Sequence, residues 1–560
     1  MNEGRTLGIS LGHDSGVAIL QDEEIVFAAN EERFSRIKGH SGVPREALFY
    51  LLKNGDLENI DRIAVDGKIV APHGIDKKYR YEQSSGGLQG FAEFIKIESI
   101  FLKGHLGISL LKAIFFLLHY EKRQNQNSYV KKLVGNLSLP VTRVDHHMAH
   151  AASIAFPGDS STTGLVVTLD GIGEGICSRV LRFDSGELRP LQSTPALGSP
   201  ALMYGYATKI LGYRINRHEG KLTGLAAYGI PDRTAPIFLK HFSYKNFKLA
   251  SKNIGYGRSA IKQLSRELSG YSHEDIAAGV QYALEINVTS WIRDLIQKYG
   301  ESRIYLSGGA FANVKLNQRI AQISEIKDVI VSPNMGDGGL ALGTAVLAHP
   351  TKVSLSTLYL GTNIESKVDA SAEAKLIYAG EEFHEFIARL LSEEKIVAIA
   401  RGRMEFGPRA LGNRSILYSA MKREVNQWLN TKLNRTEFMP FAPICRDIDA
   451  HKNFKLDLSI ERYKHMTMTC DVTDYCKETA PAVVHVDGTA RPQIVFEEEN
   501  PDLYQILSAY SRFVENAVLV NTSFNMHEEP IVRTSEEALR AFKRSGIDYL
   551  LLGNQVFVKS

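Results

Sequence analysis

The fold is indicated by a stretch near the start of the chain, Leu7-Gly8-Ile9-Ser10-Leu11-Gly12-His13-Asp14-Ser15-Gly16-Val17-Ala18-Ile19-Leu20. In it, two apolar runs flank a bend of small and polar residues, which is typical of a β-hairpin. A second copy begins at Gly164-Leu165-Val166-Val167-Thr168-Leu169 and continues into Asp170-Gly171-Ile172-Gly173-Glu174-Gly175. Two strand–turn–strand units, each with an acidic residue and glycines at the bend, predict a duplicated nucleotide-binding fold.

Outward from these hairpins, strands alternate with helices. Residues 303–307 are predicted to form a strand that enters a glycine turn, with a helix near 313–323. A further strand over 328–332 and a helix over 338–348 follow. Such alternation indicates an α/β sheet.

The pattern also divides the chain. It loosens over 349–378, so we expect a first domain over 1–350 and a second α/β domain over 375–560. The stretch 69–139 is helical in pattern and is predicted to be an insertion in the first domain. The second domain is predicted to have three strands, near 396–400, 517–520 and 549–552.

Composition excludes several classes of protein. The chain has 560 residues, enough for about two to four domains. Its 66 Lys and Arg against 63 Asp and Glu are too balanced for a nucleic-acid coat. The four cysteines form no Cys-x-x-Cys pair, which suits a reducing cytosol and disfavours a thiolate zinc site. The most apolar stretch, 106–118, is too short to span a bilayer, and we see no signal peptide, so we expect a cytoplasmic protein with neither membrane nor nucleic acid as partner.

A histidine run carries the first candidate site. In Val144-Asp145-His146-His147-Met148-Ala149-His150, the residues His146 and His150 are four positions apart and share one face of a helix, a geometry that suits one metal ion. Asp170 and Asp337, each in a glycine-flanked turn after a strand, are candidate completing ligands. Such a donor set leaves iron(II), manganese and zinc open. The alternative is that these histidines only line a polar helix face.

Two kinds of candidate anion site accompany it. Gly308-Gly309 enters a helix near Asn313, and a glycine turn at a helix N-terminus favours phosphate, although an ordinary tight turn looks the same. In the second half, Arg409 and Arg414 lie in the run Gly407-Pro408-Arg409-Ala410-Leu411-Gly412-Asn413-Arg414, which indicates a grip on phosphate or carbamoyl phosphate rather than a solvated loop. Ser523 and Asn525 follow an apolar strand, where α/β sites usually form.

These turns together resemble the actin, hexokinase and Hsp70 nucleotide fold. The sequence further resembles the NodU/CmcH family of O-carbamoyltransferases, at both ends of the chain. In the first half the resemblance is carried by Gly12-His13-Asp14-Ser15, Glu31-Glu32-Arg33-Phe34-Ser35-Arg36, the histidine run, Gly220-Lys221-Leu222-Thr223-Gly224-Leu225-Ala226-Ala227-Tyr228-Gly229 and Gly336-Asp337-Gly338-Gly339. In the second half it is carried by the arginine run, Phe438-Met439-Pro440-Phe441-Ala442-Pro443 and Asn521-Thr522-Ser523-Phe524-Asn525.

The resemblance implies a fold and a reaction. It implies a first domain similar to the universal tRNA threonylcarbamoyltransferase, of the actin/Hsp70 (ASKHA) class, and a YrdC-like second domain. There, carbamoyl phosphate and Mg–ATP would give carbamoyl-adenylate and pyrophosphate. A metal, usually iron, would then hold the intermediate in the first domain for attack by the hydroxyl of a small molecule, a secondary metabolite or sugar.

The same resemblance assigns residues to roles. His146, His150, Asp170 and Asp337 match the metal ligands, and His13 matches the general base. Arg409, Arg491, Ser523 and Asn525 match the family's contacts to carbamoyl phosphate and nucleotide. The further candidates for such contacts are Lys221, Gly308, Gly309, Asn313, Arg414 and Arg435.

One motif departs from the family. Many members carry Lys-x-Arg-Glu-x-Phe-Arg, whereas this chain reads Leu433-Asn434-Arg435-Thr436-Glu437-Phe438-Met439. Leu433 and Met439 replace two cations, and a neutral side chain cannot hold a phosphate dianion, so the activated donor stays open.

Other functions compete with O-carbamoyl transfer. The scaffold could transfer a different acyl group or act on tRNA, although balanced charge disfavours the several phosphate contacts that tRNA needs. It could also be a nucleotide-binding regulator without chemistry, against which His13 and the four presumed ligands argue. The stretch 69–139 either borders the acceptor pocket or forms a homodimer contact.

Overall fold

The protein is described by a computed structural model over residues 4–67, 127–128, 130–135, 138–154, 163–365, 367, 374–424 and 441–559. Most of the predicted insertion lies outside these residues.

The strands before residue 310 are β1 (Arg5–Ser10), β2 (Gly16–Gln21), β3 (Glu24–Asn30), β4 (Arg62–Asp66), β5 (Val141–Val144), β6 (Thr163–Gly173), β7 (Ile176–Asp184), β8 (Glu187–Pro195), β9 (Phe242–Lys245), β10 (Lys248–Ser251) and β11 (Arg303–Ser307). The later strands are β12 (Asp328–Val331), β13 (Asn363–Ile364), β14 (Lys375–Ala379), β15 (Val397–Ala400), β16 (Gly402–Arg403), β17 (Arg414–Ser419), β18 (Ala442–Arg446), β19 (Phe454–Lys455), β20 (Cys470–Val472), β21 (Thr489–Ala490), β22 (Gln493–Val495), β23 (Leu519–Ser523), β24 (Tyr549–Leu552) and β25 (Gln555–Val558).

After a single helical turn at Glu32–Ser35, the α-helices are α1 (Arg45–Lys53), α2 (His146–Ala152), α3 (Pro200–Ile210), α4 (Glu219–Leu225), α5 (Ala235–His241), α6 (Arg258–Glu267), α7 (His273–Tyr299), α8 (Val314–Ala321), α9 (Leu340–Ala348), α10 (Phe383–Ser392), α11 (Asp447–Asn453), α12 (Asp474–Thr479), α13 (Pro501–Tyr510) and α14 (Ser535–Arg544).

These elements form two compact units, neither of which is one continuous piece of chain. The first unit comprises Met1–Glu31, Gly39–Ala312 and Asn334–Leu355. The second comprises Glu32–Lys38, Asn313–Pro333 and Ser356–Ser560.

The first unit contains the same sheet pattern twice. One sheet has the order β3-β2-β1-β4-β5, in which β1 pairs antiparallel with β2 and parallel with β4. In the other, β8, β7, β6 and β11 follow one another, and β6 pairs antiparallel with β7 and parallel with β11. The predicted duplication of a strand–turn–strand unit is therefore confirmed.

The first sheet is covered by a helix from the far end of the unit. β1 is buried on both faces, as expected of a central strand with a nearly continuous apolar sequence. A Cβ at Gly8 would lie 2.1 Å from the carbonyl oxygen of Ala341 in α9, so only glycine allows this approach. Just after α9, Nδ1 of His349 lies 2.8 Å from Oγ1 of Thr6.

The second unit is built on an eight-stranded sheet with the order β14-β25-β24-β15-β17-β23-β18-β22. Helices α10 and α13 bury apolar side chains against it, including Phe383, Leu391 and Leu507. The predicted strands near 396–400, 517–520 and 549–552 correspond to β15, β23 and β24. The mixed α/β prediction is thus confirmed. Among the residues that the structure describes, no helix is both long and apolar enough to span a bilayer.

Candidate metal centre and anion-binding edge

The first site is built on α2. This helix begins directly after β5, and the carboxylate of Asp145 caps it by accepting the N–H of Met148 at 3.0 Å. Arg179 holds the same carboxylate at 2.9 Å. One turn apart on this fixed helix, Nε2 of His146 and Nε2 of His150 face each other at 3.1 Å.

Two carboxylates complete the cluster. Oδ2 of Asp170, in β6, lies 3.3 Å from Nε2 of His146 and 3.5 Å from Nε2 of His150. Oδ1 of Asp337, in the turn before α9, lies 3.8 and 3.3 Å from the same two nitrogens. All four ligand atoms lie within 4.8 Å of one another. The four side chains predicted as metal ligands are therefore brought together.

The donor set fits a divalent cation. Nitrogen and oxygen ligands about 2.1 Å from one ion are separated from each other by about 3.0 to 3.4 Å, close to the spacing found here. Burial disfavours the charged forms of both Asp170 and His146. The imidazoles of His146 and His150 nevertheless hold the pKa of Asp170 well below its ordinary value. Asp170 and Asp337 in turn raise the pKa of His146. A cation would replace the imidazole protons as the partner of the carboxylates.

His147, between the two ligands in sequence, has a structural role. It is buried, with Nδ1 2.8 Å from the hydroxyl of Thr168, and its Nε2 donates to the carbonyl oxygen of Ile176 at 3.1 Å. Burial, reinforced by His146 and His150, lowers its pKa to about 3, so the ring is neutral.

His13 lies in the bend between β1 and β2. Its Nδ1 is 2.8 Å from Oδ2 of Asp14. Burial lowers the pKa of His13, but Asp14, with Asp337 and Asp170 at longer range, outweighs burial and raises it to about 9. The imidazole is therefore within electrostatic reach of two of the predicted metal ligands.

The glycine turn that was predicted to bind phosphate lies against the same centre. Gly308 has φ of +105°, and a Cβ there would lie 2.3 Å from the carbonyl oxygen of Leu169. A Cβ at Gly309 would lie 2.8 Å from Oδ1 of Asp170. The turn thus packs beside one predicted metal ligand.

Two other predicted ligand contacts are otherwise engaged. The side-chain oxygen of Asn313, in the second unit, caps α8 by accepting the N–H of Leu316 at 3.0 Å. Nζ of Lys221, on α4, lies 5.9 Å from the ring centre of Tyr213.

The second site is an edge of the large sheet, where β17 begins and β23 ends. Ser415 is the register partner of Ser523, so the loop before β17 and the residues after β23 share this edge. The hydroxyl of Ser523 donates to Oδ1 of Asn525 at 2.5 Å, and Nδ2 of Asn525 donates to the carbonyls of Met526 and Glu529. We call this region, residues 405–414 with 523–531, the anion edge.

Arg409 is the cation of the anion edge that suits a ligand best. Burial lowers its pKa to about 10, and its Nε has no hydrogen-bond acceptor among the described residues. A bound oxyanion would supply the missing acceptor. Arg491, half-buried between β21 and β22, and Arg414 are the two other described arginines with this predicted role. Arg435 lies outside the described residues, together with Leu433 and Met439.

Arg414, at the start of β17, is the most enclosed of the arginines that were predicted to bind phosphate. It is fully buried, and its guanidinium donates to the carbonyl oxygens of five residues, namely Arg401, Gly402, Thr362, Asn413 and Arg533. These five bonds, all from Nη1 and Nη2, tie Arg414 to the sheet edge, whereas its buried Nε has no hydrogen-bond partner among the described residues. A contact between Arg414 and substrate stays a prediction.

Sequence reasoning missed the residue that shapes the arginine loop. Glu405 is buried, and its Oε1 accepts backbone N–H groups from Leu411 at 2.7 Å, Asn413 at 2.9 Å and Arg414 at 3.2 Å. An acidic residue beside a run of cations was the available signal.

Comparisons with known proteins cover both units. The family model described as "Carbamoyltransferase N-terminus" matches residues 5–346, and the one described as "Carbamoyltransferase C-terminus" matches residues 388–559. An uncharacterized protein of Methanocaldococcus jannaschii is 31% identical over 99% of both chains. Nodulation protein NolNO of Sinorhizobium fredii is 28% identical over 98% of this chain and 79% of its own.

A third relative is similar over a shorter span. The 3'-hydroxymethylcephem-O-carbamoyltransferase of Streptomyces clavuligerus is 32% identical over 45% of this chain and 48% of its own. Among solved structures, full-length HypF in its phosphate- and nucleotide-bound form is 14% identical over 62% of this chain and 46% of its own, with a TM-score of 0.32, too low to define a shared fold.

Proposed function

The chain belongs to the carbamoyltransferase family, and from this premise we propose that it uses ATP and carbamoyl phosphate to carbamoylate a hydroxyl group of a small molecule. The observation that carries the proposal is the cluster of His146, His150, Asp170 and Asp337 in a unit that matches the N-terminal family model. The name of the cephem relative, an O-carbamoyltransferase, supports an oxygen atom as the acceptor.

The first half-reaction is proposed for the anion edge. A water molecule cleaves the carbamoyl–phosphate bond and inorganic phosphate leaves. An oxygen of the resulting carbamate attacks the α-phosphorus of ATP and displaces pyrophosphate, which gives carbamoyl-adenylate. Arg409 would neutralise the oxyanions, with Ser523, Asn525 and Arg491 as further contacts, and Mg²⁺ would accompany ATP.

The second half-reaction is proposed for the first unit, for which an actin-like nucleotide fold remains our interpretation. A divalent cation held by the four ligands would polarise the carbamoyl carbonyl as a Lewis acid. The acceptor oxygen attacks that carbon, AMP leaves, and His13 takes the hydroxyl proton at its imidazole. His13 must be neutral for this role, and a cation would neutralise Asp170 and Asp337, two of the groups that raise its pKa.

We propose iron(II) as the resident ion, with manganese or zinc as alternatives, because imidazole with carboxylate is a borderline donor set. Anaerobic loading followed by metal analysis should find about one ion per chain. Asp170→Asn is expected to lose it, whereas His273→Ala, an exposed histidine at the start of α7, should retain it. Equal metal content in Asp170→Asn and the parent protein would refute the assignment.

The reaction itself is tested by pyrophosphate release from Mg–ATP with and without carbamoyl phosphate. We expect release to require carbamoyl phosphate, to fall about tenfold or more in Arg409→Ala, and to persist in His13→Ala and Asp170→Asn. His13→Ala should nevertheless lose transfer once an acceptor alcohol is supplied. No release by the parent protein, with ATP still bound, would overturn the donor chemistry.

A further inference from the structure

We propose that the segment Glu32–Lys38 positions the anion edge for substrate binding. In it, Arg33 and Arg36 are positioning residues for the loops that carry Arg409 and Asn525. This inference rests on the proposed function of that edge. The segment lies within the span of the N-terminal family model, yet it belongs to the second compact unit.

Arg33 holds the first loop. Its side chain is almost fully buried, and Nη2 donates to the carbonyl oxygen of Gly407 at 2.9 Å, two residues before Arg409. Nη1 pairs with Oε1 of Glu32 at 2.9 Å. The guanidinium is therefore oriented by a neighbour on one side and fixes the loop backbone on the other.

Arg36 holds the second loop. Its Nη1 donates to the carbonyl oxygen of Ile531 and its Nη2 to that of Pro530, both at 2.7 Å. Nη1 also lies 3.0 Å from Oε2 of Glu537. Pro530 directly follows Glu529, whose carbonyl accepts from the side chain of Asn525 at 3.0 Å. The planar fork thus spans two successive carbonyls with a fixed geometry, which the single ammonium group of lysine does not provide.

The segment is also held along its length. The guanidinium of Arg533 lies 4.7 Å from the ring centre of Phe34, a cation–π distance. Arg36 has a φ of 58° and ends the helical turn at Glu32–Ser35, where its N–H donates to the carbonyl oxygen of Glu32 at 3.1 Å. The segment therefore has a defined backbone conformation from which Arg36 reaches its two carbonyls.

These contacts reach the same edge from which Glu405 holds the arginine loop. Glu405 accepts the backbone N–H groups of residues 411, 413 and 414, whereas Arg33 donates to the carbonyl oxygen of Gly407. Arg36 does the equivalent for the loop after Asn525. None of these groups needs to touch the substrate, because fixing both loops orients the donors that do.

The proposal is tested in the full-length chain by hydrogen–deuterium exchange and by carbamoyl-phosphate-dependent ATP–pyrophosphate exchange. Arg33→Ala should raise deuterium uptake in peptides over residues 404–414, and Arg36→Ala in peptides over 526–534. Both variants should raise the KM for carbamoyl phosphate by about tenfold or more with a smaller change in kcat, since ground-state positioning is lost. Arg36→Lys should recover part of the loss.

The control is Arg512→Ala, which removes an exposed arginine paired with Glu385 in the same unit and should change neither readout. Unchanged uptake and unchanged KM in both variants would overturn the inference. If an alanine variant unfolds, the lysine variants decide: raised deuterium uptake in the same peptides supports the inference, and uptake equal to that of the parent overturns it. If the parent protein exchanges no pyrophosphate, the proposed function fails, and deuterium uptake alone then decides whether the segment holds the loops.

Discussion

Gly173 decides at the level of a single residue whether the metal centre can form. It lies at the end of β6, and a Cβ there would be 2.0 Å from Cδ2 of His146 and 2.7 Å from its Nε2. In Gly173→Ala the imidazole must therefore leave its place opposite His150. We expect metal affinity to fall about tenfold or more, measured by competition with a chromogenic chelator.

The matched variant for this prediction is Gly220→Ala, on α4, where a Cβ would meet no atom within 4 Å. It should bind metal as the parent does. Equal affinity in Gly173→Ala would mean that the ring can shift without loss and that the cluster does not require this geometry.

Glu31 is a second residue with a measurable signature. Its carboxylate is buried and accepts the N–H groups of Glu46 at 3.0 Å and Ala47 at 2.9 Å at the start of α1. Burial raises its pKa to about 7, against the opposing effect of these N–H groups. The folded chain then binds the proton more tightly than the unfolded chain does.

Because the folded-state pKa is the higher one, this group's contribution to stability is present below pH 4.5 and is lost as the pH rises towards 7. The free energy of unfolding should fall by up to about 3 kcal/mol over that range. Glu31→Gln should remove this pH dependence, measured by chemical unfolding at pH 5, 6, 7 and 8. If the free energy of unfolding changes with pH equally in Glu31→Gln and in the parent protein, the raised pKa of Glu31 is contradicted.

Local spacing made some residues of the site predictable. His146 and His150 were predicted because positions four apart share a helix face. Asp170 and Asp337 were predicted because each was expected in a glycine-flanked turn after a strand, although Asp170 lies within β6. The structural contacts of Arg414 were not predicted, since a run of cations does not reveal the five carbonyl oxygens that surround its guanidinium. Arg33 was noted only as part of a family motif, and its contact was not predicted, because its partner Gly407 is 374 positions away.

Among the structural elements, the loop between β16 and β17 depends most on one side chain. Arg414 begins β17 and ties the loop to neighbouring segments through carbonyl oxygens. Lysine offers its donors from one point and cannot reach all five carbonyls, so Arg414→Lys should lower the free energy of unfolding by about 3 kcal/mol. Thermal unfolding measures this.

Arg512→Lys, at an exposed ion pair, should change stability by less than about 1 kcal/mol. If Arg414→Lys were as stable as that control but lost affinity for carbamoyl phosphate, Arg414 would be a substrate ligand after all.

Strands were easier to predict than loops. The hairpins and the strand at 549–552 are confirmed almost residue for residue, because short apolar runs between turns have few other solutions. The anion edge was only partly foreseen. Its shape depends on Glu405, Arg33 and Arg36, each of which binds backbone atoms. Since every residue carries the same backbone groups, such partners cannot be identified from residue types.

For the whole molecule, a prediction about fragments follows from the fact that the second unit is assembled from three separate stretches of the chain. Residues 356–560 alone would lack α8, whose Leu316 and Ile320 are fully buried and whose Asn317 donates to the carbonyl of Thr467 at 2.7 Å. They would also lack Arg36. We therefore expect this fragment, expressed alone, to unfold at a markedly lower temperature than the intact chain or to aggregate.

A chain cut after folding is the informative comparison. With a protease site inserted between Leu355 and Ser356, the nicked protein should stay associated on gel filtration, because the second unit contains pieces from both sides of the cut. An isolated fragment as stable as the nicked protein would show that the earlier segments are dispensable. This division could not be predicted from the sequence. The loss of strand–helix alternation over 349–378 indicates a boundary, but it does not show which earlier segments pack into the second unit.

The packing of α9 on β1 has a consequence for how the protein is made. Thr6 contacts His349, which is synthesised 343 positions later, and Gly8 packs against Ala341, which is also synthesised late. At about 5 to 20 residues per second, a ribosome needs roughly 20 to 70 seconds to deliver that partner. Throughout this time the nascent first sheet has one apolar face uncovered, so newly made chains are expected to depend on chaperones that shield it until translation has passed α9.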